Sequence, residues 1–331
     1  MESKDIDFVV TWVNSNDKKW QQKKNKYVCN LHDENKFLNS SIRYRSFDTF
    51  KYWFRGVEKY APWVHKVYLV TDNQVPKWLD LNHPKLQIVD HKEFLDSVNL
   101  PVFNSNAIEL NVDKITSLSN NFVLFCDDTF IINNLKQRDL FCNGIARDVA
   151  IVTPIIPLEK NMSIVQYNSV QIVNKHYSLR NSLKRHFWKY FNYNYGFEWI
   201  RTVLEAPHHY FPGLLDTHLP IAYSKNDFKF ARKIAENEFK NTSKHRFRQD
   251  DDISHFLIRY LRIATGNFDP GRILGHSFLM SDIESINRIF KKGKDKFICI
   301  NDIDDPNVDY YENEIDKLFA NKFGEKSSFE K

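Results

Sequence analysis

Continuous apolar runs that end in polar side chains are the main pattern of this chain. Three of them cover residues 6–14, 66–72 and 122–128. The second run closes with Asp72, and the third closes with Asp127 and Asp128. Strands buried on both faces of a parallel sheet have such uninterrupted runs, and open α/β sheets bind ligands beyond the carboxyl ends of their strands. The pattern therefore predicts that several strands bring polar groups to one edge of a sheet.

Helical spacing of apolar residues separates these runs. Apolar side chains from Phe50 to Tyr60 recur every three or four residues and form one stripe. Helices are expected near 46–60, 74–79 and 106–117, and further strands near 86–90 and 149–153. This alternation predicts an α/β fold with a Rossmann-like, mostly parallel sheet flanked by helices.

The second half of the chain has a mainly helical pattern. Helices are predicted near 163–187, 195–206, 226–240, 251–263 and 308–321. The chain has only 9 glycines and 11 prolines, and no Gly/Ser-rich linker marks a domain boundary. We therefore expect one catalytic unit, with an α/β core in residues 1–155 and a mainly helical addition in residues 156–331.

The composition is that of an ordinary globular protein. With 331 residues and 42% hydrophobic content, the chain is long enough to bury a sizeable core. Residues 1–5 contain no apolar signal region, and no window approaches the roughly 18 apolar residues of a membrane span, so we expect a cytoplasmic protein. A zinc site or a disulfide framework is not indicated, because the four cysteines are far apart and form no CxxC pair: Cys29, Cys126, Cys142 and Cys299.

Residues 177–199 mix basic with aromatic side chains in a chain whose formal net charge is +5. Such a segment could lie at an anionic membrane surface, stack on sugar rings or bind a nucleic acid. It could equally form a buried aromatic face with a charged back. No known nucleic-acid-binding motif accompanies it, so a nucleic acid is the least favoured partner.

Adjacent carboxylates at a strand end suit a divalent cation. Asp127 and Asp128 offer the oxygen ligands that Mg²⁺ prefers. Consecutive strand residues point to opposite faces, so one of the two could instead cap a helix. The chain has no GxxxxGK[ST] loop and no GxGxxG turn, so phosphate binding would need a metal, helix N-termini or cationic side chains. The candidates for that role are Arg43, Arg45, Lys51, Arg55 and Arg248.

Further segments combine polar groups densely, at 103–109, 212–220, 245–252 and 298–302. In the first, Asn104 could cap a helix and leave neighbours such as Glu109 free to bind a ligand. His218 lies between turn residues, where an exposed histidine could serve as acid or base. Asn301 and Asp302 repeat the pattern of a strand followed by polar groups.

These residues carry a resemblance to the Stealth family of sugar-1-phosphate transferases, which includes bacterial capsular polysaccharide polymerases and the lysosomal-enzyme GlcNAc-1-phosphotransferase. Four blocks of the chain resemble the blocks of that family in the same order, at residues 6–17, 43–133, 218–252 and 299–302. The second block contains the sequences YLVTDNQ, FNS and CDD.

The resemblance implies a GT-A-type nucleotide-binding fold and a reaction of capsular or cell-surface polysaccharide synthesis. A hydroxyl of an acceptor glycan would take hexose-1-phosphate, with HexNAc-1-phosphate expected, from a UDP-sugar and release UMP. Mg²⁺, with Mn²⁺ as the alternative, would be held by Asp127 and Asp128, and His218 and Arg248 would join them in catalysis.

The residues assigned to substrate binding are Trp12, Asn14, Asp17, Arg43, Asp72, Asn104, Glu109, Asn301 and Asp302. The acceptor would be an oligosaccharide, a growing polysaccharide or a lipid-linked glycan, and 177–199 would bind it or contact the inner face of the membrane.

Two other functions stay open at this point. A conventional metal-dependent glycosyltransferase would use the same UDP-sugar and metal but would release UDP. A non-catalytic glycan-binding protein would account for the aromatic content, but it has no need for clustered strand-end carboxylates.

Overall fold

The computed structural model describes residues 5–28, 37–45, 47–158 and 162–331, so Cys29 lies outside the described residues. Its strands are β1 (Ile6–Thr11), β2 (Val67–Thr71), β3 (Leu86–Asp90), β4 (Asn121–Cys126), β5 (Thr129–Ile131), β6 (Phe141–Cys142), β7 (Ile145–Asp148), β8 (Ile221–Ser224), β9 (Asp269–Pro270), β10 (Gly275–Leu279) and β11 (Phe297–Asn301). Its α-helices are α1 (Lys18–Val28), α2 (Phe50–Tyr60), α3 (Ser105–Glu109), α4 (Gln137–Leu140), α5 (Ser163–His176), α6 (Leu179–Arg185), α7 (Phe187–Tyr190), α8 (Trp199–Glu205), α9 (Lys225–Ile234), α10 (Glu236–Lys244), α11 (Phe256–Thr265), α12 (Ile283–Lys292) and α13 (Val308–Lys322).

A five-stranded sheet in the order β3-β2-β1-β4-β8 forms the centre of the molecule. The first four of these strands are parallel, and β8 pairs antiparallel with β4 at the edge. The strand order reverses between β1 and β4, because β2 and β3 lie on the other side of β1. Such a reversal opens a ligand-binding crevice beyond the carboxyl ends of the two strands. The predicted α/β class with a mostly parallel sheet flanked by helices is confirmed.

Both faces of this sheet are buried, which accounts for the uninterrupted apolar runs. Along β1, Phe8 and Val10 pack into one hydrophobic core, whereas Val9 packs into the core on the opposite face. All three side chains are fully buried. Because side chains alternate between the faces of a strand, a sheet covered on both sides needs apolar residues at every position.

Helix α2 covers one face through the apolar stripe predicted from the sequence, with Trp53 and Phe54 fully buried. A Cβ on Gly56 would lie 2.5 Å from the carbonyl oxygen of Ile131, so only glycine lets α2 approach β5 this closely. β5 also belongs to a second sheet, in the order β10-β11-β5, and β6-β7-β9 form a third.

The second half of the chain contributes strands as well as helices. β8 completes the central sheet, and β10 and β11 form most of the second sheet. Helix α11 is buried along almost its whole length. Its Arg262 bonds to Asp148 at 2.6 Å and Asp227 at 3.2 Å, while Arg259 bonds to Asp148 at 2.9 Å. This buried ion network joins β7, α9 and α11.

Several local predictions are wrong. No helix forms over 74–79, because Leu79 pairs with Glu330 in an isolated bridge and Trp78 accepts a hydrogen bond from Lys331. The strand predicted near 149–153 is reduced to a bridge between Val152 and Leu214. The long helix predicted over 163–187 is instead three helices, α5, α6 and α7.

Candidate active site

A pocket of about 410 Å³ lies where the strand order reverses. The residues following β1 and β4 line its base, and the first turns of α3 and α5 and the end of β11 line its walls. Of the residues proposed from the sequence, it brings together Trp12, Arg43, Asp72, Glu109, Asp127, Asp128, His218, Arg248, Asn301 and Asp302. The predicted edge of convergent polar groups is therefore present.

Asp127 and Asp128 follow β4 at the base of the pocket. The turn is closed by the Thr129 hydroxyl, which donates to the Cys126 carbonyl at 2.7 Å, and the Asp128 carbonyl accepts from the Ile300 amide at 3.0 Å. Burial and the charge of Asp128 raise the pKa of Asp127 to about 8, and burial also raises the pKa of Asp128. The pair is therefore costly to ionise without a cation.

Two carboxylate oxygens in this pocket have no hydrogen-bond partner. They are Oδ1 of Asp128 and Oδ2 of Asp302, and both are buried. Buried polar atoms are normally hydrogen-bonded, so unpaired acceptors on residues that line a pocket are candidate ligand-binding groups. Oxygen acceptors with raised pKa values fit a hard divalent cation such as Mg²⁺.

A different group has the closest set of potential metal-binding atoms among the described residues. One atom each from His245, Asp251 and Asp252 lies within 4.8 Å of the others. Asp252, however, already accepts bonds from Asn104 at 2.8 Å and from His245 at 2.7 Å. This cluster lies outside the pocket lining. Its hydrogen bonds account for it as a structural feature.

Glu109 lies on α3 beside a histidine that sequence reasoning missed. Burial, together with Asp128, raises the pKa of Glu109 to about 7 against the opposing effect of Arg248. His255 Nε2 lies 3.6 Å from Glu109 Oε2, and burial and nearby cations lower the pKa of this histidine to about 3. Tyr223 donates its single hydroxyl proton to the His255 carbonyl at 3.0 Å. The Tyr223 oxygen can therefore only accept from the His255 ring, so Nδ1 of His255 carries the proton and donates it at 2.9 Å. The neutral ring therefore points its unprotonated Nε2 at Glu109.

His218 adopts a left-handed backbone conformation, with φ of 51°. Its amide donates to Asp216 Oδ1 at 2.9 Å, which holds this turn. The ring remains half exposed, and Nδ1 lies 3.5 Å from Asn301 Oδ1. A non-glycine residue with positive φ is uncommon and clusters at functional sites, where neighbouring contacts stabilise it.

Cations line the wall opposite the strand ends. Arg248 is buried, its Nη2 donates to Ser105 at 2.8 Å, and its Nε has no acceptor. Burial and the Arg248 charge lower the pKa of Arg43 and bring the pKa of Lys24 down to about 8. Closely spaced cations repel one another, and an anion bound between them would offset that repulsion. Ser105 and Lys24 were not assigned to ligand contacts from the sequence.

Asp72 and Asp302 each face a cation within the pocket. Lys23 bonds to Asp72 at 2.7 Å, and Arg45 bonds to Asp302 at 3.0 Å. Trp12 stacks on Phe50 with ring centroids 5.5 Å apart, and its indole N–H is buried without an acceptor. That N–H is available to a ligand.

Three proposed residues lie outside the pocket lining and make local bonds instead. Asn14 Oδ1 accepts from the Asn16 amide at 2.9 Å. Asp17 accepts from the Lys19 amide at 2.8 Å; although burial raises the pKa of this carboxyl, hydrogen bonds from Gln74 and the α1 backbone lower it overall. Asn104 is the N-cap of α3 and donates to Asp252. Their ligand-binding roles stay predictions.

The aromatic segment 177–199 is only partly buried. Tyr190 and Tyr195 lie in the core, whereas Trp188, Tyr193 and Phe197 are strongly exposed. Among the described residues, no helix has the length and apolar character needed to cross a membrane.

Comparison with known proteins gives consistent matches. Residues 4–32 match Stealth protein CR1, conserved region 1, and residues 43–149 match Stealth protein CR2, conserved region 2. The capsular polysaccharide phosphotransferase WcwK of Streptococcus pneumoniae is 41% identical over 333 residues, covering 98% of each chain. The exopolysaccharide phosphotransferase cps2G of Lactiplantibacillus plantarum is 37% identical, covering 99% of this chain and 96% of its own. The receptor polysaccharide phosphotransferase WefC of Streptococcus gordonii is 37% identical over 90% of each.

Solved structures resemble the chain only distantly. The apo structure of the bifunctional glycosyltransferase WbbM has a TM-score of 0.40 and 11% identity, covering 95% of this chain and 49% of its own. The galactosyltransferase LgtC, in complex with donor and acceptor sugar analogues, has a TM-score of 0.37 and 8% identity, covering 96% of each chain.

Proposed function

This chain belongs to the Stealth protein family, and from that membership we propose that it transfers hexose-1-phosphate from a UDP-sugar to a hydroxyl of an acceptor glycan. It is a sugar-phosphate transferase of capsular or exopolysaccharide synthesis. The finer proposal is that the transferred group is HexNAc-1-phosphate, that UMP is released and that a phosphodiester links the sugar to the acceptor.

One observation carries this proposal: Asp128 and Asp302, each with a buried and unpaired carboxylate oxygen, line the same pocket as Arg43 and Arg248. A nucleotide diphosphate with its cation is electrostatically complementary to this arrangement, because it offers a positive charge to the carboxylates and negative oxygens to the arginines. A protein that only bound neutral sugars would have no use for buried, unpaired carboxylate oxygens.

Asp127 and Asp128 would hold Mg²⁺, with Mn²⁺ as the alternative. The bound ion would neutralise charge on the diphosphate and on the transferring phosphoryl group. The raised pKa values of both carboxyls fit this role, because a divalent cation would stabilise the ionised forms that burial disfavours.

The remaining residues position the substrates. In the reaction, the acceptor oxygen forms a bond to the β-phosphorus while the bond from that phosphorus to the bridging oxygen breaks, so UMP leaves with the electron pair. His218, half exposed at the pocket, would take the proton of the acceptor hydroxyl. Arg248 would stabilise charge on the transferring group through its unpaired Nε–H. Positioning and charge neutralisation supply most of such catalysis.

The donor pocket would be formed mainly by residues 1–155. Trp12 would donate its free N–H to the nucleotide, and Arg43 and Asp72 would lie along the donor. Glu109 would bind the sugar, and Asn301 and Asp302 would complete the site from the second half. Asn14, Asp17 and Asn104 would also bind substrate, although their present hydrogen bonds are local to the loops beside the pocket.

Residues 156–331 would hold the acceptor, which would be an oligosaccharide, a growing polysaccharide or a lipid-linked glycan. Peripheral contact of 177–199 with the inner face of the cell membrane belongs to the same proposal. Its exposed aromatic side chains support that contact.

The test is to incubate the purified protein with Mg²⁺, a panel of UDP-sugars and oligosaccharide acceptors, and to identify the released nucleotide. We expect UMP, dependent on acceptor and reduced at least about 100-fold in Asp128→Asn. Asp309→Asn, which changes an exposed carboxylate of α13, is the matched control and should keep full activity. Release of UDP instead would identify a conventional glycosyltransferase.

A further inference from the structure

Several strongly exposed apolar side chains lie between α7 and the end of α8. Trp188 is 78% exposed, Tyr193 83%, Phe197 86% and Leu204 70%. Soluble proteins rarely expose contiguous apolar patches without using them for binding. We call the following set the aromatic face: Phe187, Trp188, Tyr193, Phe197, Ile200, Val203 and Leu204.

Buried neighbours hold the aromatic face outward. The Tyr190 hydroxyl donates to the Ile263 carbonyl at 3.0 Å, and the Tyr195 hydroxyl donates to the Lys189 carbonyl at 2.6 Å. In α8, the buried Thr202 hydroxyl accepts from the Val152 amide at 3.0 Å. Because these anchors alternate with the exposed residues, the exposure is fixed by the fold.

Helix α6, which precedes the aromatic face in the chain, carries cations that have no acidic partner among the described residues. Arg180, Lys184 and Arg185 of α6 are exposed and form no ion pair within the part of the chain that the structure describes. The acids of the region have partners, since Glu198 pairs with Arg201 at 2.6 Å and Glu205 lies 3.4 Å from His208. The unpaired charge is therefore positive.

We propose that the aromatic face and the three α6 cations form a peripheral membrane-binding surface that recognises anionic lipid head groups. This inference rests on the proposed membrane contact of 177–199, and it extends that contact to α8 and specifies the lipid chemistry. Aromatic rings favour the bilayer interface, and the negative surface potential of an anionic leaflet attracts Lys and Arg side chains. A second copy of the chain fits less well, because a two-fold contact would bring the same unpaired cations together.

This surface is connected to the active-site pocket. Two further exposed apolar residues, Ile156 and Leu158, follow the strand-like segment to which α8 is bonded. The Leu158 amide donates to Ser163 at 3.0 Å in the first turn of α5, and Gln166 of the same helix lines the pocket. A glycan held at the membrane would therefore lie on the side of the molecule from which α5 reaches the pocket.

The test is co-sedimentation of the full chain with phosphatidylcholine vesicles that contain or lack phosphatidylglycerol. We expect binding only to the anionic vesicles, weakened by salt. Trp188→Ser combined with Phe197→Ser should lower the partition coefficient at least about tenfold. The double variant lacks two aromatic side chains that would be buried in the membrane interface of the vesicle. Arg180→Gln with Lys184→Gln and Arg185→Gln should abolish the preference for anionic lipid.

The matched control is Tyr310→Ser, which removes an exposed aromatic side chain from α13, and it should bind like the unchanged protein. Circular dichroism melting curves verify that each variant is folded. Absence of vesicle binding, an equal loss in the control, or a dimer in light scattering that the aromatic variant dissociates would each overturn the inference. No donor or acceptor is used, so a failure here is distinguishable from a failure of the phosphotransfer proposal.

Discussion

Asp127, Asp128 and Glu109 place three carboxyl groups at the base of one pocket. Burial raises the pKa of each, and the charge of Asp128 raises the pKa of the other two further. Without a cation, the cluster therefore keeps protons near neutral pH. Binding of a divalent ion must release them, so metal affinity should increase with pH.

We expect Asp127 to destabilise the metal-free protein increasingly as the pH rises from about 4 to about 8. Asp127 has a pKa of about 8 when folded, against 3.8 for an ordinary aspartate, so only the unfolded chain ionises it within this window. Asp127→Asn removes that difference. Its melting temperature in EDTA at pH 8 should exceed that of the unchanged protein, by about 2 °C for each kcal/mol gained.

The difference between the two proteins should be small near pH 4, where the carboxyl is protonated in the folded state and about half protonated in the unfolded chain. Asp309→Asn, an exposed control, should melt like the unchanged protein at both pH values. If Asp127→Asn melted lower at pH 8, an unrecognised partner would be stabilising the ionised carboxylate.

His218 combines a strained backbone with a proposed proton-transfer role, and two variants separate these effects. His218→Ala and His218→Gly should both lower kcat at least about 100-fold, because each removes the imidazole. The glycine variant should be more stable than the alanine variant by about 1 kcal/mol, since φ of 51° suits glycine. Urea denaturation and the UMP assay measure the two outcomes.

His208→Ala, in an exposed loop, is the control and should change neither quantity. Full activity in both His218 variants would remove this histidine from catalysis.

Elements stabilised by their own sequence pattern were predictable, whereas elements that depend on distant partners were not. Three of the four parallel strands of the central sheet, β1, β2 and β4, carry long hydrophobic runs, and all four strands lie close to where they were predicted. β8 has only four residues and becomes a strand by pairing with β4, so its sequence alone does not distinguish it from a loop. The helix predicted from residue 251 begins at Phe256, because Asp252 bonds to Asn104 and holds the preceding turn.

The residues of the candidate site also divide into those with a local sequence signal and those placed by distant partners. Asp127, Asp128 and His218 were predictable, because they follow apolar runs or lie in a turn, or because they match a family block. His255 reaches the pocket only through tertiary packing against Glu109. No local sequence signal marks this residue.

The ion network of α11 should be essential for stability. Arg262→Met leaves Asp148 and Asp227 with one cationic partner fewer in a buried environment, and we expect a loss of about 3–5 kcal/mol in the free energy of unfolding. Urea denaturation measures it. Arg201→Met, which breaks the exposed pair with Glu198, should cost at most about 1 kcal/mol. Equal losses would show that burial does not determine the strength of these pairs.

At the scale of the whole molecule, both halves of the chain form one site. The strand-end carboxylates come from the first half, and His218, Arg248 and Asn301 come from the second. The central sheet is shared as well, because β8 covers the edge of β4. We therefore expect the proposed division at residue 155 to separate two parts of a single folding unit.

We expect residues 1–155 expressed alone to aggregate, because the edge of β4 and the core against α9 and α11 would be exposed. Co-expression with 156–331 should restore soluble protein with a single melting transition. Soluble yield and calorimetry measure this result. A soluble, cooperatively melting 1–155 fragment would show two independent domains.

The ribosome synthesises β8 long after its partner strand β4, and this delay affects folding during translation. About 95 residues separate the end of β4 from the start of β8. At roughly 5–20 residues per second, a ribosome needs on the order of 5–20 s to make that stretch. During this interval β4 is outside the ribosome with no partner along one edge, where chaperones or other nascent chains can bind it. Slow codons between Cys126 and Ile221 would lengthen this exposure, so translation speed in this stretch should limit how much active enzyme a cell obtains.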